Sequence, residues 1–422
     1  MIRGIRRTLT PDDRAASPYL ELPFEVPVGV DSLEVRLTYD RSAGVVDLGC
    51  WGPSGFRGWS GGARDRFVIT ADAATPGYLP YADSSRITRY GGVSQPDGSS
   101  PRRDVEPGVW AVLLGLHRIP TGGVDVDVEI ELPASAPPDV EPPAPPVPSP
   151  RPRRSLPAAP ALTWLACDLH AHTVHSDGSL GVAGLAAQAV AAGLDVLAVT
   201  DHNTVSHHVT LPEVAKLYGI TLLPGQEVTT DRGHANAFGD IGWVDFRRPA
   251  STWVSAVADG GGLLSVNHPL AADCSWHHPL DERPPLAEIW HWTWLDRTWT
   301  GPLAWWSAWG LGTVPVGGSD FHSPQQGRPL GAPVTWVACE SDDPTAVLDG
   351  LRAGRTALAA AVDAPVLLRV DDELVALGGD GTVLVDADGR RRVVRGERAR
   401  FAGAPGPHRL ETPLAAVVAI TP

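Results

Sequence analysis

Apolar and polar residues alternate along the first third of the chain. The alternation is clear at residues 33–37 and strict at 124–132, where every second residue is apolar and the residues between are carboxylates. A period of two is typical of a strand that buries one face and exposes the other. We therefore expect residues 1–133 to form an all-β, sandwich-like domain.

Between residues 161 and 362 the pattern changes to helices that alternate with short apolar strands. Apolar residues at 182–190 have helical spacing, and an apolar strand at 195–200 follows them. Similar strands recur at 220–223, 263–266 and 314–317. Helices and strands in repeated succession predict a parallel sheet, and the number of units predicts a closed or nearly closed barrel.

Two further segments flank this region. Residues 133–160 contain 12 prolines, a composition that favours extended polyproline II structure, so residues 134–160 are predicted to be a linker. Residues 363–422 return to a β pattern with Asp-Gly and Gly-Gly turn signals. We expect them to form a small C-terminal β segment on the barrel or on the N-terminal domain.

Composition narrows the possible partners and compartments. The 422 residues include 34 basic and 49 acidic side chains, and the net charge of −15 disfavours nucleic acid or an anionic membrane as a partner. The four cysteines lack Cys-x-x-Cys spacing, which indicates neither a disulfide framework nor a zinc ribbon. Because we find neither a secretory signal nor an apolar run long enough to span a membrane, we expect a cytoplasmic protein. The sequence leaves the oligomeric state open.

Histidines are concentrated in one part of the chain, since 12 of the 14 lie between His170 and His322. Side chains that bind metals follow the predicted strands of the central region: Asp168, His170, His172 and Asp177; Asp201 and His202; Glu227 and His234; His268; Asp320 and His322. The carboxyl ends of parallel strands open onto one face of a barrel, so these side chains should converge there. Imidazoles and carboxylates together suit divalent transition metals, which predicts a metal site.

The same residues resemble the motifs of the PHP superfamily, named from polymerase and histidinol phosphatase. The matching motifs are Asp-x-His-x-His-Thr-x-x-Ser-Asp-Gly at 168–178, Thr-Asp-His at 200–202, the lone Glu227, Asn-His-Pro at 267–269 and Gly-Ser-Asp-x-His at 318–322. The layout also resembles the carbaryl-hydrolase branch, CehA/McbA. That likeness is carried by Gly-His-Ala-Asn-Ala-Phe at 233–238, Gly-Arg-Thr at 354–356 and the two flanking β segments.

The resemblance implies an α/β fold, a distorted seven-stranded (β/α)7 PHP barrel, and two or three divalent ions of manganese, iron or zinc. Carried onto this sequence, it implies three ligand sets, two of which share Glu227: His170, His172, Glu227 and Asp320; Glu227, His234 and His268; Asp177, His202 and His322. Nine ligands are too many for one ion, which agrees with a multinuclear site. Asp168 and Asp201 would not bind the ions themselves but would orient the neighbouring ligand residues through hydrogen bonds. His291 is a candidate substrate contact. We expect the other histidines of this region to lie in exposed loops, namely His175, His207, His208, His277 and His278.

Such a site predicts hydrolysis. The first hypothesis is a metal-dependent phosphoesterase that cleaves a small phosphate monoester or diester with a metal-bridging hydroxide, with Glu227, His234 and Asp320 as catalytic residues. Candidate substrate contacts are His291, Trp290, Trp292, Arg328 and Arg355. Two alternatives stay open: a carboxylester or carbamate hydrolase with the same metal centre, and a metal-stabilised binding protein without catalysis.

Overall fold

The computed structural model describes residues 1–80, 104–272, 274–291 and 300–422. The N-terminal domain contains one short helix, α1 (Pro11–Ala16), and the following strands: β1 (Ile2–Leu9), β2 (Tyr19–Val26), β3 (Ser32–Tyr39), β4 (Val45–Gly52), β5 (Gly55–Trp59), β6 (Arg66–Thr70), β7 (Gly108–Arg118) and β8 (Val124–Glu131). They form two four-stranded antiparallel sheets, in the orders β1-β8-β3-β6 and β2-β7-β4-β5.

The two sheets bury the apolar side chains that the alternation marks. In β8, Val124 and Val128 are 5% and 0% exposed. The carboxylates between them face outward, where Asp127 pairs with Arg6 at 2.8 Å. Apolar residues of both sheets meet in one hydrophobic core, so the predicted β-sandwich pattern is present in this domain.

The rest of the chain forms a mixed α/β region. Its strands are β9 (Thr163–Asp168), β10 (Val196–Val199), β11 (Thr221–Thr230), β12 (Gly233–Phe238), β13 (Leu263–Val266), β14 (Leu286–His291), β15 (Val314–Gly318), β16 (Val334–Cys339), β17 (Thr356–Ala359), β18 (Val366–Val370), β19 (Glu373–Leu377), β20 (Val383–Val385), β21 (Arg391–Val393), β22 (Arg398–Ala402), β23 (His408–Glu411) and β24 (Val417–Thr421). Its helices are α2 (Val182–Ala192), α3 (Leu211–Tyr218), α4 (Ala250–Asp259), α5 (Thr300–Trp309) and α6 (Pro344–Arg352). Short 3₁₀ helices occur at Gly61–Ala63, Ser206–Val209 and Pro324–Gln326.

The main sheet is not purely parallel, which corrects the sequence-based expectation. Strands β9, β10 and β11 run parallel, as do β13, β14 and β15, but β12 is antiparallel to both of its neighbours. Only Asp231 and Arg232 separate β11 from β12, and so short a connection makes a hairpin rather than a parallel crossover. Strand β16 is also antiparallel to β9.

A closed barrel is not found among the described residues. The sheet has 13 strands in the order β15-β14-β13-β12-β11-β10-β9-β16-β17-β24-β23-β20-β21. Strand β15 nevertheless contacts β16 through one side chain, because Thr335 Oγ1 donates to Gly317 O and accepts from Gly317 N, both at 2.8 Å. The sheet therefore curls, and the carboxyl ends of several strands open toward one region.

The C-terminal segment extends the main sheet. Strand β24 pairs with β17 and β23, while β18, β19 and β22 form a separate three-stranded sheet. Residues 134–160 contain neither helix nor strand. This linker packs along the α/β region, where Tyr218 Oη donates to Pro145 O at 2.6 Å and Arg153 pairs with Asp195 at 2.5 Å. Within the described ranges, no helix combines the length and apolarity needed to cross a membrane.

The N-terminal domain and the α/β region share a hydrophobic cluster. Phe56 and Trp59 of β5 pack with residues of β11, β12 and α4. The rings of Phe56 and Trp243 stack with centroids 3.9 Å apart and planes 12° from parallel. This contact fixes the N-terminal domain beside the ends of β11 and β12.

Candidate metal centre

Backbone pairing brings two distant ligand loops together. His170 and His172 follow the end of β9, and Asp320 and His322 follow the end of β15. His172 N donates to Phe321 O at 2.9 Å, and residues 171 and 321 form a parallel bridge. A second parallel bridge joins His202 to Glu227. The main chain thus brings three loops and strand β11 together, independently of side-chain contacts.

Glu227 lies at the centre of the cluster and is fully buried. Five imidazoles surround its carboxylate, with nitrogen to oxygen distances of 3.2 Å for His170, 3.6 Å for His172, 2.7 Å for His202, 3.1 Å for His234 and 3.4 Å for His268. Asn267 Nδ2 also donates to Glu227 Oε1 at 2.8 Å. A buried carboxylate surrounded in this way would serve as an oxygen ligand if a divalent cation bound here.

Two aspartates complete the cluster. Asp320 Oδ1 lies 3.2 Å from His170 Nε2 and 3.0 Å from His172 Nε2. Asp177 Oδ1 lies 3.3 Å from His322 Nε2 and 3.6 Å from His202 Nε2. The nine predicted ligands are therefore brought together, with the Asp177 side chain, 41% exposed, at the outer rim and Glu227 at the buried centre.

The buried donor set fits divalent cations. His170 Nε2 and Glu227 Oε2 are buried without a hydrogen bond of good geometry, although charged or polar atoms crowd around them. Burial opposes charge on Glu227, yet the surrounding imidazoles outweigh it and hold the pKa of Glu227 well below its usual range. Burial likewise disfavours a charged His170, but Asp320 and Glu227 raise its pKa well above the usual value. The cluster thus demands positive charge, and bound metal ions would supply it.

Two ligand positions have unusual backbone conformations. His268 and Asp320 have φ values of +24° and +48°. Residues other than glycine rarely adopt positive φ, although asparagine, aspartate and histidine do so more often than the rest. Such conformations cost free energy and persist at sites where the surrounding structure enforces them. Here they turn the two side chains toward Glu227 and His170.

Residues 168–269 match the family model of the PHP domain. The match contains seven of the nine clustered residues, while Asp320 and His322 lie beyond it. A 5'-3' exoribonuclease from Haemophilus influenzae is 41% identical over 64 residues, which cover 15% of this chain and 23% of that relative. The chain therefore matches less than a quarter of the length of this curated relative. The PHP match and the chemistry of the cluster support a hydrolase.

Three solved structures resemble parts of the chain. A two-domain protein from Bacteroides vulgatus, described as containing a predicted PHP-like metal-dependent phosphoesterase, has a TM-score of 0.44 and 17% identity over 65% of this chain and 99% of its own. A protein from Bifidobacterium adolescentis described as a metal-dependent phosphoesterase has a TM-score of 0.31 and 18% identity over 39% of this chain and 90% of its own. An amidohydrolase from Chromobacterium violaceum has a TM-score of 0.29 and 15% identity over 39% of this chain and 89% of its own.

Asp168 and Asp201 hold the ligand loops through backbone and hydroxyl groups rather than through the imidazole rings of ligands. Asp168 accepts from Ser319 N at 2.9 Å and Gly331 N at 2.8 Å, which ties β9 to the loop after β15. Asp201 accepts from the backbone and the hydroxyl of Thr173 at 2.9 and 2.7 Å. Both carboxylates thus fix the loop that carries His170 and His172.

Glu288 is a site residue that the sequence analysis missed. It is 2% exposed, and its Oε1 lies 3.2 Å from His170 Nδ1 while its Oε2 accepts from His268 N at 2.8 Å. One carboxylate thus positions ligands from two loops. The available signal was a single acidic residue inside β14, whose other residues are apolar or aromatic until His291. Asn267, Thr229 and Cys274 also contact ligand side chains and were not anticipated as supports.

The predicted substrate contacts fall in different places. His291 belongs to the cluster, with Nε2 3.1 Å from Asp320 Oδ2. Trp290 is fully buried among apolar residues such as Val266 and Leu358, so it is part of the core and not a pocket wall. Arg355 Nε donates to Ala338 O, which pairs with the start of β9, so Arg355 lies at the opposite end of the sheet and cannot clamp a phosphate here.

Arg328 follows the short helix Pro324–Gln326 and is half-buried, six positions after His322. Trp292 lies outside the described residues.

The expectation of exposed loop histidines is wrong for His175, His207 and His208. They are 6%, 0% and 8% exposed. His207 Nε2 lies 3.1 Å from the carbonyl oxygens of Val199 and Gly225, and His208 Nε2 lies 2.9 Å from that of Gly225. These imidazoles satisfy carbonyl groups where β10 ends beside β11, which explains their burial. His277 is exposed and His278 is half-buried.

The N-terminal domain contacts the α/β region beside the metal-ligand cluster. Gly77 N lies 3.1 Å from Ser206 Oγ and can donate to it, and Arg64 donates to Val174 O. Gly77 has φ +98°, and a Cβ atom placed there would lie 2.7 Å from His175 O. A cavity of about 470 Å³ opens between this domain and the cluster, lined by residues that include Tyr19, Asp47, Asp177, His202 and His234.

Proposed function

We propose that the protein is a PHP-type metal-dependent phosphoesterase that hydrolyses a small phosphate monoester or diester. The observation that carries the proposal is the position of Glu227, which lies 2.7 to 3.6 Å from five imidazoles. That arrangement suits two or three divalent ions of manganese, iron or zinc held by the nine clustered residues. When bound, such ions lower the pKa of coordinated water and neutralise charge on a phosphoryl group.

The side chains around the proposed ions have distinct tasks. Glu227 and Asp320 supply negative charge at the buried centre and would fix the spacing of the ions. His234, 13% exposed at its side chain, lies between Glu227 and the cavity, and we assign it to contact the leaving group. A ligand that enters from the cavity therefore meets His234 and Asp177 before it reaches the centre.

The cavity supports a small-molecule substrate. Its volume of about 470 Å³ is within the range of small-ligand sites, and Tyr19 and Trp59 contribute apolar surface to it. We further place the chain in the CehA/McbA branch, on the strength of Gly233–Phe238 and the flanking β segments. Because aromatic walls also suit aryl esters, carboxylester or carbamate hydrolysis by the same centre is the second candidate.

The first experiment is metal analysis and activity of protein purified without chelator. We expect two or three divalent ions per chain and hydrolysis of an aryl phosphate or a bis-aryl phosphate. Glu227→Gln should reduce both metal content and rate, the rate by about 100-fold or more. Glu213→Gln, on the exposed face of α3, is the matched control.

Other outcomes would redirect the assignment. Exclusive hydrolysis of an aryl ester or aryl carbamate would establish the second candidate. A fully metal-loaded protein that cleaves none of these substrates would overturn hydrolysis and favour a binding role.

A further inference from the structure

We propose that the N-terminal β domain forms the specificity wall of the metal site, and that Asp47 binds an ammonium group on the substrate's leaving group. The inference rests on the proposed hydrolytic function, because it assigns the far end of the same cavity. It concerns a residue of the β domain, which lies outside the PHP match.

The strand pattern of β4 aims Asp47 at the cavity. Its neighbours Val46 and Leu48 are fully buried in the sandwich core. Because successive side chains of a strand point to opposite faces, Asp47 must leave the core and face the α/β region. It lines the cavity together with Tyr19 and His202.

Gly115 leaves the room that the Asp47 carboxylate occupies. Gly115 of β7 is the cross-strand partner of Asp47. A Cβ atom at residue 115 would lie 2.8 Å from Asp47 Oδ2 and 2.7 Å from the ring of Trp59. A side chain at this position would therefore displace the carboxylate or the ring, whereas glycine leaves both against the cavity.

Asp47 is the acidic group of the cavity wall that lacks a partner in the described part of the chain. Of the three carboxylates that line the cavity, Asp177 faces His202 and His322, and Asp231 pairs with Arg14 at 2.5 Å. The carboxylate of Asp47 forms neither a hydrogen bond nor an ion pair with any described residue. Burial raises the pKa of Asp47 to about 7, a rise that the positive charge of His202 opposes and the carboxylate of Asp177 reinforces.

An ammonium group complements the carboxylate and the aromatic rings of this wall better than a neutral group. It would pair with the carboxylate of Asp47 and lie beside the rings of Tyr19 and Trp59, whose faces attract cations. The opposite side of the cavity holds Asp177, His202 and His234 of the cluster. A substrate with its ester group at the metals and a cationic amine at the other end would span the two walls.

Two phosphonates that differ in one group test this inference without turnover. We would titrate metal-loaded full-length protein with 4-(aminomethyl)phenylphosphonate and with 4-methylphenylphosphonate by calorimetry. We expect the amine to bind at least about tenfold more tightly. Asp47→Asn should bring the two affinities within about twofold of each other, and Asp47→Ala provides a second variant if the first does not fold. Asp12→Asn, an exposed aspartate of the same domain, should retain the preference.

The outcomes separate this inference from the proposed function. Equal binding of the two phosphonates, binding of neither, or an unchanged preference in both Asp47 variants would overturn the role of Asp47. Assays with the matching aryl phosphates test hydrolysis independently. A preference for the amine without hydrolysis would retain Asp47 as a recognition residue and reject the phosphoesterase.

Discussion

Glu288 Oε1 lies 3.2 Å from His170 Nδ1, whereas Nε2 of the same ring faces Glu227. Glu288 thereby determines which nitrogen of His170 is free to bind an ion. Glu288→Gln should weaken metal binding by about 10- to 100-fold, because the ring loses its charged orienting partner. Competition against a chelating indicator measures this affinity. Glu282→Gln, on an exposed loop before β14, is the control, and an affinity unchanged in Glu288→Gln would exclude the orienting role.

The contact between Glu141 and His175 joins the linker to the loop after β9, which also carries His170 and His172. Glu141 Oε1 lies 2.9 Å from His175 Nε2, and Oε2 accepts from Val182 N at 2.8 Å at the start of α2. In a double-mutant cycle with Glu141→Ala and His175→Ala, we expect a coupling free energy of about 1 kcal/mol in urea unfolding. Ser149→Ala in the same linker should change stability by far less. Additive effects of the two substitutions would show that the contact contributes nothing.

Buried His208 should make the protein sensitive to acid. Burial lowers the pKa of His208 to about 3 in the folded protein, whereas the unfolded value is about 6.5. Above pH 6.5 the imidazole is neutral in both states. Below it the unfolded chain binds a proton that the folded chain does not, so stability falls by about 1.4 kcal/mol per pH unit until the folded pKa is reached.

His208→Gln removes the imidazole that binds this proton in the unfolded chain. Urea unfolding at pH 7.5, 6.0 and 5.0 should show a shallower loss of stability than in the wild type, with a difference of about 2 kcal/mol between pH 7.5 and 5.0. His277→Gln, on an exposed loop, controls for the loss of a histidine. Parallel pH profiles of wild type and His208→Gln would contradict the prediction.

The stacked pair of Phe56 and Trp243 should contribute to the stability of the whole molecule. Phe56 is 6% exposed, and Phe56→Ala would leave a cavity in the cluster shared by the two domains. We expect a cost of about 3 kcal/mol in the free energy of unfolding, and about 1 kcal/mol for Phe56→Leu. Val28→Ala, at an exposed position of the N-terminal domain, should have little effect. A wild-type unfolding curve with Phe56→Ala would show that the stack is not needed.

Local patterns in the sequence predicted much of the fold. The alternation at 124–132 corresponds to β8, and the helical spacing at 182–190 corresponds to α2. The direction of β12 was not predictable from apolar periodicity, because a short apolar strand has the same pattern in either direction. The two-residue connection at Asp231 and Arg232 was the signal that decided it.

The candidate site was predictable where ligands follow strands and not where support comes from elsewhere. His170 and Asp320 follow strand ends, so their convergence could be inferred from topology. Glu288 lies within a strand, and Asp47 belongs to another domain. The lone carboxylate in apolar β14 marks Glu288 as unusual, but the partners of Glu288 and the position of Asp47 in the cavity wall depend on how strands and domains pack.

Gly77 makes the two domains dependent on each other. Because a side chain there would collide with His175 O, the N-terminal domain could not be exchanged for a foreign β-sandwich unless the replacement also presented bare main chain at that point. Chimaeras joined at the linker would therefore fail to pack at this contact, even with the metal-binding loops unchanged. The substrate range of this two-domain architecture should thus change through substitutions in the cavity wall of the existing domain rather than through exchange of domains.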